Sequence, residues 1–192
     1  MARDSARTKQ SILAAAHAEF AAHGIAGARM DRIASSAGCN KERIYGHFGN
    51  KEALFAAVLA EAILALADQV RPGEGTTAEY IGRLFDYHRA DPSVLRLLMF
   101  EALYYGDGLI ETNEDRRDWY RNVIVDFTRR TGMSEREAGR TLLTLIGIGA
   151  WPLAMPQLTS LLTGPDALTD APMDEMRAFL IDFAQRAVEL PG

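Results

Sequence analysis

Apolar side chains recur through most of the chain at the three- and four-residue spacing of an amphipathic helix, and no long stretch alternates with a period of two. The first such segment, Ser5–His23, places Ile12, Ala16 and Phe20 on one face and ends at Gly24. Residues 1–4 are expected to be frayed. The pattern therefore predicts an all-α chain of about nine helices.

The segment from Met30 to Lys51 predicts two short helices around a tight turn. Met30–Ala37 carries apolar residues at helical spacing and is followed by Gly38, which suits a left-handed helix end. Asn40 can then cap a second helix, Lys41–His47, which turns Ile44 inward and leaves its polar side chains outward. This arrangement is typical of a helix-turn-helix whose second helix enters the major groove of DNA.

A longer helix follows without a flexible linker. Asn50 is a plausible N-cap, and the apolar pattern continues from Leu54 to about Val70 before Arg71-Pro72-Gly73 ends it. We therefore expect a DNA-binding head at residues 1–50, joined by a continuous helix to a larger helical body at residues 51–192.

The body is expected to contain five more helices. Ser134 and Glu137 form a predicted capping box at the start of the fourth of them, and the residues from Thr163 onward are expected to form a loop before the last. The predicted ranges are Thr76–Arg89, Pro92 to about Tyr105, about Glu111–Thr131, Glu135–Met155 and Met173–Leu190.

The distribution of charge favours a polyanion partner for the head. The net charge is −5, but residues 1–51 hold eight basic and four acidic residues, so this part carries +4 and the remainder −9. A basic head on an acidic body fits a protein that presents only one end to nucleic acid.

Several other classes of protein are disfavoured. The single cysteine, Cys39, excludes an internal disulfide and a multi-cysteine zinc site. Metal-ligand spacings, a glycine-rich phosphate loop and a nucleophile elbow are missing, so we expect no metal, no cofactor and no enzymatic activity. The start lacks the apolar region of a signal peptide, and the apolar run Thr141–Met155 is short, so a cytoplasmic protein without a membrane partner is predicted.

The N-terminal pattern resembles the TetR (tetracycline-repressor-like) family of transcriptional regulators. Matching residues stand in the first helix, in the helix-turn-helix and at the start of the connecting helix: Ile12, Ala16, Phe20, Gly24, Ile33-Ala34, Ala37-Gly38, Ile44-Tyr45, His47-Phe48 and Lys51-Glu52-x-Leu54. Ala28-Arg29 and Glu42-Arg43 depart from the family pattern, so the operator sequence cannot be taken from a relative.

The resemblance implies a set of phosphate contacts. Tyr45 and His47 are similar to the family's phosphate-contacting pair at the end of the recognition helix. Lys51 stands at a helix start, where its ammonium and free N–H groups can hold a phosphate, and Arg29 could make a further contact.

The residues expected to read bases are Lys41 and Arg43, since either could pair with guanine O6 and N7. Glu42 could accept from a cytosine amino group, repel wrong phosphates, or pair with a neighbouring lysine. For Arg29, Lys41 and Arg43 the alternative is a simple solvated charge.

The body is expected to form a homodimer, because one short recognition helix reads few base pairs. The helices Glu135–Met155 and Met173–Leu190 carry more apolar surface than a peripheral helix needs, and family members use their last two helices in a four-helix bundle. The alternative is an ordinary buried core. The predicted interface residues are Leu145, Ile148, Met176, Phe179, Leu180 and Phe183.

The middle helices are rich in aromatic side chains with polar tips, which describes a small-molecule pocket or an ordinary core. The resemblance favours a pocket for an apolar or aromatic effector, whose charge stays open. Its predicted lining is Tyr80, Leu84, Tyr87, His88, Phe100, Glu101, Tyr104, Trp119, Tyr120 and Trp151.

These inferences predict a ligand-responsive repressor that binds a palindromic double-stranded DNA operator as a dimer and is released by a small-molecule effector. One alternative is a DNA-binding module that responds to no ligand. An all-α enzyme is the other alternative, from a different class.

Overall fold

The computed structural model describes residues 2–71, 74–108 and 114–189, and every regular element within these ranges is an α-helix. The predicted all-α fold is therefore confirmed. In chain order the described helices are α1 Ala2–Gly27, α2 Met30–Ser36, α3 Lys41–Phe48, α4 Lys51–Gln69, α5 Thr77–Ala90, α6 Ser93–Tyr105, α7 Glu114–Thr131, α8 Glu135–Ala154, α9 Pro156–Thr163 and α10 Asp170–Glu189.

Helix ends follow the local signals in the sequence. The side-chain oxygen of Asn40 accepts from the backbone N–H of Arg43 at 2.9 Å, and that of Asn50 accepts from Ala53 at 2.7 Å. Ser134 and Glu137 form both hydrogen bonds of a capping box. These predicted caps are confirmed because each depends on residues only three positions apart.

Other boundaries differ from the prediction. The first helix begins at Ala2, so the frayed arm expected at residues 1–4 is wrong for the residues described there. The predicted ends at Glu111 and Leu190, and the predicted breakers Pro72 and Gly73, lie outside the described residues.

An additional helix, α9, occupies Pro156–Thr163, between the predicted helix that ends at Met155 and the loop predicted from Thr163. Pro156 stands in its first turn, where a missing N–H and a fixed φ favour a helix start. The axis turns by 84° between α8 and α9. The prolines near this point therefore redirect the chain without ending its helical structure.

The structure divides into two compact units, and the first comprises Met1–Ala65 and Ser93–Glu114. Its core includes the fully buried Ile12, Phe20, Ile33 and Ile44. α1 packs against both α2 and α6. The expected boundary at residue 50 describes the head without α6, whereas the compact unit includes that helix because it packs on α1.

The second unit comprises Leu66–Pro92 and Asp115–Gly192. α5 packs against α8 and α10, and Phe127 of α7 joins the same apolar core. Ion pairs also hold α5 to α10: Arg89 bonds Asp174 at 2.5 Å, and Arg177 bonds Asp86 at 2.7 Å. α10 is therefore fixed to the core by apolar packing and by charge.

Among the described residues, no single helix is long and apolar enough to cross a membrane, although the bent pair α8 and α9 together meets the criteria of length and composition.

Candidate functional site

The helix-turn-helix is built on buried residues that hold α2 and α3 in place. Ile33 of α2 and Ile44 of α3 are completely buried. Gly38 has a φ of 66°, which lets the chain turn between the two helices at low cost. Because Ile44 faces the core, the neighbouring side chains of α3 are directed outward.

Glu19 of α1 positions the start of α2. One of its carboxylate oxygens accepts from the backbone N–H of Arg29 and from Nε of Arg32, both at 2.8 Å. Burial by itself raises the pKa of Glu19, but these hydrogen bonds outweigh it and bring the pKa below its ordinary value. Sequence reasoning missed Glu19, since its partners lie ten and thirteen residues away and no local pattern marks it.

The predicted base-reading residues lie on an exposed face of α3. Arg43 and Glu42 are exposed, and within the described part of the chain neither side chain forms a hydrogen bond or an ion pair. Lys41 is different because its ammonium forms an ion pair with the carboxylate of Asp31 on α2. Asp31 was not among the predicted site residues.

The predicted phosphate-contacting residues have varied surroundings. Tyr45 is 44% exposed, and His47 is half-buried. Lys51 is also half-buried, and its ammonium donates to the carbonyl oxygen of Ala26 at 3.4 Å. The side chain of Arg29 is exposed and lacks a polar partner among the residues described. Arg29 and Tyr45 are therefore the most accessible of this group.

The ten predicted pocket residues belong to two compact units. Phe100, Glu101 and Tyr104 belong to the first unit, where Phe100 packs over Gly24 and Tyr104 donates to Glu52 at 3.4 Å. The other predicted residues belong to the second unit. A single pocket lined by all ten residues stays a prediction.

Within the second unit, most of the predicted pocket residues lie in the packed core or on the exposed surface. Tyr80, Leu84 and His88 are buried in the packed core, and Trp151 is 55% exposed on α8. Trp151 therefore does not line an enclosed cavity. Burial lowers the pKa of His88 to about 4, so this imidazole is neutral at physiological pH.

Two open grooves lie in the second unit, and each contains part of the predicted set. The larger, of about 570 Å³, is formed by the end of α4, the residues after it and one face of α7. It is lined by Ala67, Arg71, Glu74, Trp119, Asn122, Val123, Val125, Asp126 and Arg129. The smaller, of about 450 Å³, includes Tyr87. Tyr120 is half-buried and contacts the Trp119 ring edge-on, 4.6 Å between centroids.

The predicted interface residues divide between the core and the surface. Leu145 and Leu180 are buried in the core of their own chain, so they have no surface to offer a second chain and this part of the prediction is corrected. Ile148 and Met176 are half-buried. Phe179 and Phe183 are 57% and 45% exposed, and Leu143 and Trp151 are exposed on α8.

No group of three His, Cys, Asp or Glu side chains that could hold a metal ion occurs in the part of the chain that the structure describes.

Comparisons with known proteins agree with this architecture. The family model for bacterial regulatory proteins of the tetR family matches residues 12–58, and the tetracyclin repressor-like C-terminal domain matches residues 77–186. The HTH-type transcriptional repressor SCO4008 of Streptomyces coelicolor is 40% identical over 181 residues, which cover 92% of this chain and 94% of that protein. The repressor NicS of Pseudomonas putida is 35% identical over 114 residues, 55% of this chain and 53% of NicS.

Solved structures show the same fold. The transcriptional regulator described as SCO4942, from Streptomyces coelicolor, superposes with a TM-score of 0.72 at 32% identity, over 96% of this chain and 99% of that one. NalD of Pseudomonas aeruginosa superposes with a TM-score of 0.56 at 21% identity, over 95% and 96% of the two chains. With its helix-turn-helix and both matching domains, the chain belongs to the TetR family of bacterial helix-turn-helix transcriptional regulators.

Proposed function

We propose that this protein is a ligand-responsive transcriptional repressor that binds a palindromic operator as a homodimer. The observation that carries the proposal is the exposed polar face of α3, which presents Arg43 and Tyr45 on a helix anchored by the buried Ile44. Similarity to SCO4008, a transcriptional repressor by its name, supports repression over activation. A regulator of this kind meets its operator on the chromosome, which places it in the cytoplasm.

Two kinds of DNA contact are assigned. Tyr45, His47, Lys51 and Arg29 position the protein on phosphates, which contribute affinity without reading sequence. Arg43 reads a base, because its guanidinium is exposed and can pair with guanine O6 and N7 together. On the same helix, Lys41 and Glu42 contribute to the choice of sequence.

The dimer is assigned to the exposed apolar face of α8 and α10. Phe179 and Phe183 stand one helical turn apart on α10, with ring centroids 6.1 Å from each other. Exposed aromatic side chains at this spacing are costly in water and are enriched at the centres of protein interfaces. The apolar surface of α8 and α10 also includes Ile148, Met176, Leu143 and Trp151.

The effector is assigned to the larger groove of the second unit. Its volume of about 570 Å³ suits a small organic molecule, and the Trp119 ring and two valines provide apolar contact. Ala67 in this groove belongs to α4, the helix that starts at Lys51 directly after the helix-turn-helix. An effector that binds better to a form with low operator affinity would therefore act on this helix and release the DNA.

The test is the selection of bound sequences from random double-stranded DNA by the purified protein. We expect a palindrome whose half-sites lie about one helical turn apart. Arg43→Ala should change the preferred base at one position of each half-site, with about 1–3 kcal/mol less discrimination there, whereas Tyr45→Phe should weaken all sequences similarly.

The matched control is Arg117→Ala, which removes an exposed arginine from α7 and should leave the selected sequence unchanged. Selection of no sequence by the unaltered protein would contradict the proposed function. An equal loss of affinity for every sequence in Arg43→Ala would contradict only the assignment of Arg43 to a base.

A further inference from the structure

The ion pair between Asp31 and Lys41 joins the two helices of the DNA-binding motif. Asp31 stands in the first turn of α2, and Lys41 is the first residue of α3. The carboxylate and the ammonium are in direct contact, although both side chains stay about half exposed, at 56% and 47%. The pair is therefore open to solvent and to any partner that approaches the recognition helix.

Within the described part of the chain, the other acidic groups of the motif form no ion pair with this lysine. Glu19 is only 10% exposed and is engaged with Arg32 at 2.6 Å. Glu42 follows Lys41 in sequence, and its charge raises the pKa of Lys41 less than Asp31 does, without an ion pair between the two among the described residues. Asp31 is thus the acidic group that occupies the Lys41 ammonium.

On a non-operator duplex, which offers Lys41 no matching base, the Asp31 carboxylate makes the contact that a DNA phosphate would otherwise make. Each lysine that neutralises a phosphate releases counterions, and this release supplies most of the affinity for DNA of arbitrary sequence. While Lys41 is paired with Asp31, it cannot contribute fully to that affinity. An exposed pair is also weak, so a well-placed operator can displace the carboxylate at small cost.

We propose that Asp31 is a specificity-determining residue, which lowers affinity for non-operator DNA by occupying Lys41 and so sharpens discrimination in favour of the operator. The inference rests on the proposed function as a DNA-binding repressor. Asp31 then acts as an internal competitor for phosphate and is not itself one of the residues that contact DNA.

The state of Lys41 is compatible with this exchange. Its pKa is raised, first by the hydrogen bond to Asp31 and then by the charge of that carboxylate. The lysine therefore stays protonated around neutral pH, and the competition between carboxylate and phosphate depends on salt and not on titration.

The test compares the full-length protein with Asp31→Asn. Binding is measured on the selected operator and on a scrambled duplex of equal length and composition, over a series of salt concentrations. Asp31→Asn should bind the scrambled duplex about three- to ten-fold more tightly, with a salt slope steeper by about one, because one more phosphate is neutralised. The operator should gain less, so the ratio of the two affinities falls.

Two further variants show whether the effect passes through Lys41. In a Lys41→Met background, the added change Asp31→Asn should no longer strengthen binding to the scrambled duplex. Glu61→Gln removes the same charge from an exposed position of α4 without freeing Lys41, so it should leave the salt slope closer to that of the unaltered protein.

The outcomes separate this inference from the proposed function. If the unaltered protein selects no operator, the proposed function fails. If it selects an operator but Asp31→Asn leaves the scrambled duplex equally weak, the inference alone is overturned. The same holds if Asp31→Asn strengthens binding equally in the Lys41→Met background, or if Glu61→Gln has as large an effect.

Discussion

Gly24 is a position at which the backbone conformation strongly restricts the type of residue. It has φ 65° and ψ 179°, a conformation that is almost restricted to glycine, and it interrupts the helical geometry of α1. A Cβ atom added there would lie 2.6 Å from Cδ1 of Phe100. Both the conformation and the contact therefore require glycine.

Gly24→Ala should lower the free energy of unfolding by about 2–4 kcal/mol, since backbone strain and a collision with Phe100 act together. Gly38→Ala is the matched control: it has a similar φ of 66°, but nothing lies within 4 Å of the added Cβ, so it should cost only about 1 kcal/mol. Urea unfolding measures both. Equal losses in the two variants would show that the contact with Phe100 contributes nothing.

His88 makes stability depend on pH. Burial lowers its pKa to about 4, whereas an unfolded histidine titrates near pH 6.5, so between these values the unfolded state binds a proton that the folded state does not. The contribution of His88 to the free energy of unfolding is therefore fully present above about pH 6.5. It decreases as the pH drops toward 4, by at most about 3 kcal/mol.

His88→Leu should remove this contribution, so its unfolding free energy should fall less between pH 7.5 and pH 4.5 than that of the unaltered protein. His47→Gln is the control, because it removes a half-buried imidazole from α3 and leaves His88 in place. The assignment to His88 is refuted if His88→Leu and the unaltered protein lose stability in parallel.

The polar face of α3 and the contact of Phe100 differ in how far the sequence predicts them. The polar face of α3 could be predicted from the position of Ile44 alone, since helical spacing decides what faces outward. Phe100 packs over Gly24, which lies 76 positions earlier in the sequence, so no local pattern links the two. A periodic pattern shows that a side chain is buried, but it does not show against which residue.

Helices begin where the local chemistry indicates, and α4 is the clearest case. Asn50 accepts from the backbone N–H of Ala53, which would otherwise lack a partner in the first turn. Prolines are harder to interpret, because Pro156 directly follows the predicted helix end at Met155 and nevertheless starts α9. A proline is disfavoured in the interior of a helix but favoured in its first turn. The sequence pattern alone does not distinguish these two positions.

Asn50→Ala should reduce the free energy of unfolding by about 1 kcal/mol, the usual cost of removing an N-cap. Asn122→Ala is the control, since Asn122 is an exposed residue within α7, where alanine is the better helix former and no loss is expected. Thermal unfolding followed by circular dichroism measures both variants. A loss of the same size in Asn122→Ala would argue against a capping effect.

In the molecule as a whole, α8 and α10 each have a buried side and an exposed apolar side. The sequence pattern identified the apolar residues of both helices but did not separate the two sides, so Leu180 of the core was grouped with Phe179 and Phe183 of the surface. The difference depends on how α10 rotates against α5, which is set by packing and by the ion pairs of Arg89 and Arg177.

Phe183→Lys should weaken the proposed homodimer by at least about 30-fold, which corresponds to about 2 kcal/mol for a central aromatic residue. Leu103→Lys is the control, because this leucine of α6 is 80% exposed but lies outside the proposed interface. Sedimentation equilibrium gives the dissociation constants, and circular dichroism checks the fold. A dimer that survives Phe183→Lys unchanged would place the interface elsewhere.

The membership of α6 in the first unit has a consequence for the order of synthesis. α1 to α3 and most of α4 leave the ribosome well before Phe100, which covers Gly24 in the finished unit. The intervening α5 belongs to the other unit. The DNA-binding unit therefore cannot complete its core while its own N-terminal part is being translated, and the nascent chain must expose part of α1 until more than half of the protein has been made.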